Sequence, residues 1–205
     1  MIQKIAVIGS GQMGAGIAHV CALSGLDVTL IDIAQDQLDA AMASIERNLR
    51  RQVARDKITE GDMTAALSRI APAMGLDSVA ACDLVIEAVA EDEAVKKSIY
   101  EAICPTLKPE ALIATNTSSI SVTRLAASTD RPGKFMGMHF MNPVPMMQLV
   151  ELIRGITTDE STFETIKELT IKLGKSPVSA EDFPAFIVNR ILLPKIGRTP
   201  GRERR

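Results

Sequence analysis

One histidine and one glutamate, twelve positions apart, are the residues best placed for acid–base chemistry. His139 ends an apolar run and Glu151 lies in the next one, after a proline-rich turn. If the two runs form adjacent strands, the carboxylate lies beside the imidazole, fixes its tautomer and stabilises its protonated form. The pairing would also relieve the cost of burying a glutamate. The other histidine, His19, lies within a predicted helix and is interpreted as structural. The pair could accept the proton of a secondary alcohol while hydride leaves for a nicotinamide.

A glycine-rich turn near the amino terminus predicts where that nicotinamide would be held. The turn follows a strand and opens a helix, so Gly9 permits a tight bend, Gly11 admits a pyrophosphate and Gly14 allows close helix-to-strand packing. Asp32 lies 18 residues beyond Gly14, at the end of the second strand, where a carboxylate accepts ribose hydroxyls and repels a 2′-phosphate. This favours NAD over NADP, and the alternative is an ordinary glycine turn. The predicted cofactor residues here are Gly9, Gly11, Gln12, Met13, Gly14 and Asp32.

The elements that must position these residues alternate between strands and helices. Near-continuous apolar runs, separated by stretches long enough for a helix, indicate parallel strands covered on both faces. Besides the helix after the glycine turn, we predict strands at 4–8, 28–31, 84–89 and 112–115 and helices at 35–55, 61–69, 92–106 and 120–127. Thr59 is expected to cap the 61–69 helix, and Ser118 and Ser119 to introduce the 120–127 helix. The pattern is typical of an α/β fold with a doubly wound, mostly parallel sheet.

The carboxyl-terminal third continues with strands at 135–140 and 148–153, a turn at 142–145, a helix at 160–173 closed by Gly174, and a short run around Val178. We predict an NAD-binding domain over 1–182 and, over 183–196, the first helix of an all-helical domain. Residues 197–205 lack an apolar period and are expected to form a disordered basic tail. The chain is therefore expected to be a fragment or to have a frame-shifted end.

Composition excludes several classes of function. The chain has 205 residues, 46% of them hydrophobic, and a net charge of −2 without a basic stripe for a phosphate backbone, so nucleic acid is not expected as a partner. Three cysteines without Cys-x-x-Cys spacing indicate reduced, mostly buried thiols rather than a metal site. No apolar run approaches a membrane span of roughly 18 residues, and the first strand leaves no room for a signal peptide. We expect a cytoplasmic protein.

Several blocks together resemble the L-3-hydroxyacyl-CoA dehydrogenase family over residues 1 to about 193. The His-Phe-Met-Asn-Pro block is the most specific of them in combination. The blocks are Val-Ile-Gly-Ser-Gly-Gln-Met-Gly at 7–14, Glu-Ala-Val-Ala-Glu at 87–91, Ala-Thr-Asn-Thr-Ser-Ser at 114–119, His-Phe-Met-Asn-Pro-Val-Pro at 139–145 and Phe-Ile-Val-Asn-Arg at 186–190.

The resemblance implies roles for individual side chains in catalysis. His139 would be the general base and Glu151 its orienting partner, while Ser118 and Asn189 would contact the 3-oxygen of the substrate and the dyad. Helix capping is an alternative role for Ser118, and bonding to nearby backbone is an alternative for Asn189.

The resemblance also implies that Glu91, Lys96, Ser118 and Asn142 contact NAD. The alternatives are solvated helix faces for Glu91 and Lys96 and a turn position for Asn142. Five methionines are expected either to fill the core or to form a wall for the acyl chain: Met136, Met138, Met141, Met146 and Met147.

The activity implied by the resemblance is NAD-dependent oxidation of a short-chain (S)-3-hydroxyacyl-CoA, such as 3-hydroxybutyryl-CoA, to the 3-oxoacyl-CoA. Family members dimerise through the helical domain, which also encloses the acyl-CoA, so we expect this chain to bind NAD weakly and to turn over acetoacetyl-CoA poorly. Two alternatives stay open: a non-catalytic NAD-binding remnant or redox-sensing module, and a related hydroxyacid or sugar-acid dehydrogenase.

Overall fold

The computed structural model describes residues 2–183 and residue 186. Its strands are β1 (Lys4–Ile8), β2 (Asp27–Asp32), β3 (Ile70–Met74), β4 (Leu84–Glu87), β5 (Leu112–Thr115), β6 (Phe135–Phe140), β7 (Leu149–Arg154) and β8 (Ser176–Glu181). Its α-helices are α1 (Gln12–Leu23), α2 (Gln35–Val53), α3 (Glu60–Ser68), α4 (Glu93–Ile103), α5 (Val122–Ala126) and α6 (Glu160–Lys172), and short 3-10 helices span Leu76–Ala81 and Pro132–Lys134.

The eight strands form one sheet in the order β3-β2-β1-β4-β5-β6-β7-β8. All neighbouring strands are parallel except β6 and β7, which are antiparallel. The order reverses at β1, so the chain winds outward in both directions from the strand that carries the glycine turn. The predicted α/β class and the doubly wound, mostly parallel sheet are confirmed.

Helices cover both faces of the sheet. One apolar cluster joins the sheet to α1, α2, α3 and α6, and the other joins it to α4 and α5. Strands such as β1 and β4 are almost wholly buried, which is why they read as unbroken apolar runs. A parallel sheet of this kind gathers the carboxyl ends of its strands along one edge, where ligands bind.

The structure corrects two details of the sequence prediction. Strand β3 was not predicted, because its sequence Ile-Ala-Pro-Ala-Met has one β-branched residue and a proline. Proline is tolerated there because β3 is an edge strand. Helix α5 begins at Val122 and not near residue 120, and its cap is Ser121, whose hydroxyl accepts a hydrogen bond from Arg124 N, so Ser118 and Ser119 are not its caps. Thr59 caps α3 as predicted, in a capping box with Asp62.

The predicted boundary at 182/183, the first helix over 183–196 and the tail over 197–205 lie largely outside the described residues, and they stay predictions. Within the part that is described, Asp182 directly follows β8. Its carboxylate accepts hydrogen bonds from Ser121 Oγ at 2.6 Å and from the amides of Val122 and Thr123 at 3.0 and 2.8 Å. The end of β8 is thereby fixed to the start of α5.

Candidate active site

His139 and Glu151 meet as directly opposed residues of the only antiparallel strand pair in the described sheet. The register of β6 and β7 pairs the two positions, and His139 Nδ1 lies 2.8 Å from Glu151 Oε2. The glutamate side chain is fully buried and the imidazole is nearly so. An ionised carboxylate only accepts hydrogen bonds, so it holds the proton on Nδ1 and leaves Nε2 as the basic nitrogen. The geometry suits a general base.

The ring of Phe186 adds an apolar wall to this dyad. It is buried, and its centroid lies 6.1 Å from that of His139 with the two planes tilted by 57°. Asn189, the predicted substrate contact, lies outside the described residues, so its role stays a prediction.

The glycine turn between β1 and α1 has the shape that a dinucleotide requires. Gly9 has a φ of +99°, and a Cβ on Gly14 would lie 1.7 Å from the carbonyl oxygen of Gly9, so neither position tolerates a side chain. Gly11 faces open space, with no atom within 4 Å of a Cβ built on it. Helix α1 starts at Gln12 with neither a side-chain cap nor an acidic residue in its first turn, so its amides are available to an anion.

Asp32 anchors this turn and borders a cavity beside it. Its Oδ2 accepts hydrogen bonds from Ser10 N at 2.8 Å and from Ser10 Oγ at 2.7 Å, and its Oδ1 accepts one from Ile33 N at 2.8 Å. Partial burial opposes ionisation, but these bonds outweigh it and hold the pKa of Asp32 below its usual value. The cavity, of about 580 Å³, has largely apolar walls that suit an adenine ring and include Ile31, Ile33, Leu76, Val89, Val95 and Ile99.

Glu91 organises the loop that follows β5. Its Oε1 accepts hydrogen bonds from Thr117 Oγ1 at 2.6 Å, from the amides of Ser118 and Ser119, both at 2.9 Å, and from Ser119 Oγ at 2.8 Å. Burial opposes ionisation, yet these hydrogen bonds and the nearby Lys96 cation lower the pKa of Glu91 to about 2. Ser118 is therefore held at the carboxyl end of β5, the strand next to β6. Asn116 ties the same loop to β6, since its Oδ1 accepts a hydrogen bond from Phe140 N at 2.9 Å.

Lys96 is not on a solvated face of α4. Only 1% of its side chain is exposed, and its Nζ lies 2.7 Å from Glu87 Oε1 and 3.5 Å from Glu91 Oε2. Glu87 was not predicted as a site residue, although an acid at the end of an unbroken apolar run was a signal that could have singled it out. Glu91 and Lys96 thus belong to one charged network together with the buried carboxylate of Glu87.

The turn after β6 brings Asn142 to the glycine turn. Asn142 and Pro143, joined by a cis peptide bond, line a cavity of about 300 Å³ together with Ser10, Gly11 and Gln12. Gly16 makes this approach possible, because a Cβ there would lie 2.8 Å from Val144 Cβ. Met13, the remaining predicted residue of the turn, packs against the apolar core.

Four of the five methionines near the dyad form two groups, and the fifth, Met141, is partly buried. Met136 and Met138 are fully buried in the apolar core, as filling residues would be. Met146 and Met147 are exposed, in the connection between β6 and β7. Only the second group is available to contact an acyl chain.

The three cysteines are buried free thiols, and burial raises the pKa of Cys21 to about 12. Among the described residues, no cluster of histidine, cysteine, aspartate and glutamate could hold a metal ion. None of the described helices is both long enough and apolar enough to span a membrane.

A profile of the family described as "3-hydroxyacyl-CoA dehydrogenase, NAD binding domain" matches residues 4–183. A 3-hydroxybutyryl-CoA dehydrogenase of Bradyrhizobium diazoefficiens is 61% identical over 96% of this chain and 67% of its own length. A probable 3-hydroxybutyryl-CoA dehydrogenase of Deinococcus radiodurans is 47% identical, over 94% of this chain and 69% of its own. The crystal structure of (S)-3-hydroxybutyryl-CoA dehydrogenase from Ralstonia eutropha superposes with a TM-score of 0.93 at 43% identity, covering 96% of this chain and 69% of that one.

The chain thus spans about two thirds of the length of these relatives. The profile match, the sequence identities and the superposition agree on one assignment, and they bear out the resemblance drawn from the motifs. This chain belongs to the 3-hydroxyacyl-CoA dehydrogenase family and comprises its NAD-binding domain.

Proposed function

We propose that this chain oxidises the 3-hydroxyl group of (S)-3-hydroxyacyl-CoA thioesters with NAD⁺, and that 3-hydroxybutyryl-CoA is a representative substrate. The observation that carries the proposal is the buried His139–Glu151 pair on neighbouring strands, at 2.8 Å, along the sheet edge that also holds the glycine turn. The substrate class comes from the names of the relatives in Bradyrhizobium diazoefficiens and Ralstonia eutropha.

Proton transfer is the step that the residues of this chain perform. Nε2 of His139 accepts the proton of the 3-hydroxyl group, and the carboxylate of Glu151 stabilises the imidazolium that forms. Burial of both side chains keeps bulk water from competing for that proton. The bound nicotinamide supplies the hydride acceptor. Ser118, held at the end of β5, and Asn189 are proposed to contact the 3-oxygen.

The cofactor is proposed to lie across the carboxyl ends of the strands on both sides of β1. Its pyrophosphate would bind the free amides at the start of α1, and its adenosine ribose would bind Asp32. Glu91 and Asn142 would lie along the nicotinamide half, on the β4 to β6 side of the sheet.

The wider setting of the reaction rests on the resemblance and on composition. An acyl-CoA substrate is implied by the family. Dimerisation through a helical domain and a cytoplasmic location remain predictions, as does the absence of nucleic acid and membrane partners. Size-exclusion chromatography with light scattering tests the predicted dimerisation.

The test of the proposal is a matched pair of rate measurements. Formation of NADH is followed with (S)-3-hydroxybutyryl-CoA, and the reverse reaction with acetoacetyl-CoA and NADH. The (R) enantiomer and NADP⁺ serve as controls, and both should react much more slowly. Binding of NAD⁺ without turnover above that of a His139→Gln variant, in either direction, would contradict the proposal and favour a non-catalytic NAD-binding module.

A further inference from the structure

A fully buried carboxylate lies beneath the nicotinamide half of the site. Glu87 is the last residue of β4, and both of its oxygens are satisfied from within the protein. Oε1 accepts hydrogen bonds from Val89 N at 2.8 Å and Lys96 Nζ at 2.7 Å, and Oε2 accepts them from Tyr100 OH at 2.8 Å and Thr115 Oγ1 at 2.7 Å. Four donors around one buried carboxylate satisfy both of its oxygens and fix it in position.

Lys96 is one cation between two carboxylates. Its Nζ lies 2.7 Å from Glu87 and 3.5 Å from Glu91, and its side chain is buried while that of Glu91 is 36% exposed. Inside the protein, Glu87 neutralises Lys96. The three charges therefore sum to −1, and the unbalanced charge lies on the outer carboxylate of Glu91, which the hydrogen bonds from Thr117, Ser118 and Ser119 keep ionised.

The position of this cluster in the sheet determines which part of a bound cofactor would lie close to its charges. Glu87 ends β4 and Thr115 ends β5, on the opposite side of β1 from Asp32, so the cluster belongs to the nicotinamide half of the crevice. Oxidised and reduced cofactor differ there by one unit of charge, because the nicotinamide ring is cationic only when oxidised. A net negative cluster binds the oxidised form more tightly.

We propose that Glu87 is a positioning residue that, by balancing the charge of Lys96, leaves Glu91 as a net negative charge beside the nicotinamide and so sets a preference for oxidised over reduced cofactor. The inference rests on the proposed function only in taking NAD as the cofactor. It adds a role for a fully buried side chain whose four hydrogen-bond donors all belong to the protein.

Removing the charge of Glu87 tests this directly. In Glu87→Gln, Lys96 is balanced by Glu91 alone and the net charge of the cluster becomes zero. The ratio of NAD⁺ affinity to NADH affinity is expected to fall roughly 10-fold, the size of one partly screened unit charge at this range. Both dissociation constants are measured by isothermal titration calorimetry on the whole chain at one fixed pH, so the charges of the dyad cancel in the comparison.

Two further variants separate charge from structure. Glu87→Gln combined with Lys96→Met removes both members of the buried pair and leaves Glu91 alone, so the ratio should return to near the wild-type value although two residues have changed. Tyr100→Phe removes one hydrogen bond to Glu87 without changing any charge. In Tyr100→Phe, any loss of affinity should be the same for NAD⁺ and NADH, so the ratio of the two affinities should be preserved.

The proposal is overturned if Glu87→Gln leaves the ratio of NAD⁺ affinity to NADH affinity unchanged. This includes the case in which both affinities fall by the same factor, as is expected for Tyr100→Phe. Should Glu87→Gln fail to fold, Glu91→Gln removes the outer charge without touching the buried pair, and an unchanged ratio there has the same meaning. Failure of the wild-type chain to bind either form of the cofactor would instead count against the proposed function.

Discussion

The two histidines of this chain are both buried, yet their surroundings give them opposite chemistry. His19, on α1, has Nε2 3.2 Å from Gln52 Nε2, while its Nδ1 has no hydrogen-bond partner in the described part of the chain. Burial, helped by the Lys175 cation, lowers the pKa of His19 to about 4. His139, on β6, instead donates to the carboxylate of Glu151. Burial beside a cation keeps His19 neutral, whereas Glu151 gives His139 a buried carboxylate as its hydrogen-bond acceptor.

Strand pairing explains why only one histidine has such a partner. On adjacent antiparallel strands, directly opposed side chains lie close together on one face, so a single register sets His139 against Glu151. On helix α1, His19 has no carboxylate opposite it among the described residues, and its hydrogen-bond contact is the amide of Gln52 on α2. Substitution of each histidine tests whether His139 is catalytic and whether His19 is structural.

Replacing His139 by glutamine should have the largest effect. His139→Gln removes the proton acceptor while keeping a side chain of similar size, so kcat is expected to fall about 10³-fold. The dissociation constant for NADH should change little, because the glycine turn and Asp32 are untouched. The matched control is His19→Gln, for which kcat should stay at the wild-type value. Equal losses in the two variants would break the comparison.

Removing the charge of Glu151 should have the next largest effect. Glu151→Gln keeps the shape but loses the carboxylate that fixes the tautomer and stabilises the imidazolium, so kcat is expected to fall about 10²-fold. Glu160→Gln, which removes an exposed carboxylate paired with Arg154, is the matched control and should leave kcat unchanged. Wild-type turnover in Glu151→Gln would show that His139 does not need its partner.

The dyad could be predicted from the sequence because its two members are brought together by neighbouring elements. They lie twelve residues apart, across one turn, so local patterns were enough to pair them. The network around Glu87 could not be found in this way. Its partners Lys96, Tyr100 and Thr115 lie on α4 and β5, up to 28 residues away, and meet only when helix and strand pack on β4.

The same limit explains the other gaps between sequence and structure. The strands β1, β5 and β6 were predicted at their observed bounds, because continuous apolar runs mark buried strands. The edge strand β3 is mostly exposed, and its sequence has one β-branched residue and a proline, so it lacks the usual signal of a strand. Ser121 could not be distinguished from Ser118 and Ser119 as the cap of α5, because what holds the other two is Glu91, a residue 27 or more positions away.

The smallest expected effect is on the free energy of unfolding, and it tests the difference between the two histidines through His19. His19 has a pKa of about 4 in the folded chain and about 6.5 when unfolded, so the unfolded state binds more protons between these values and stability falls as the pH falls through this window. Between about pH 7 and about pH 5, this histidine alone should lower the free energy of unfolding by about 2 kcal/mol. His19→Gln lacks this titrating group and should lose correspondingly less free energy of unfolding, as measured by urea unfolding at both pH values.

The acidic groups with lowered pKa values contribute equally to the wild-type protein and to His19→Gln, so their contributions cancel in this comparison. If the two proteins lost the same free energy of unfolding on acidification, His19 would be protonated in the folded chain at about pH 5. The explanation that burial keeps His19 neutral would then be wrong.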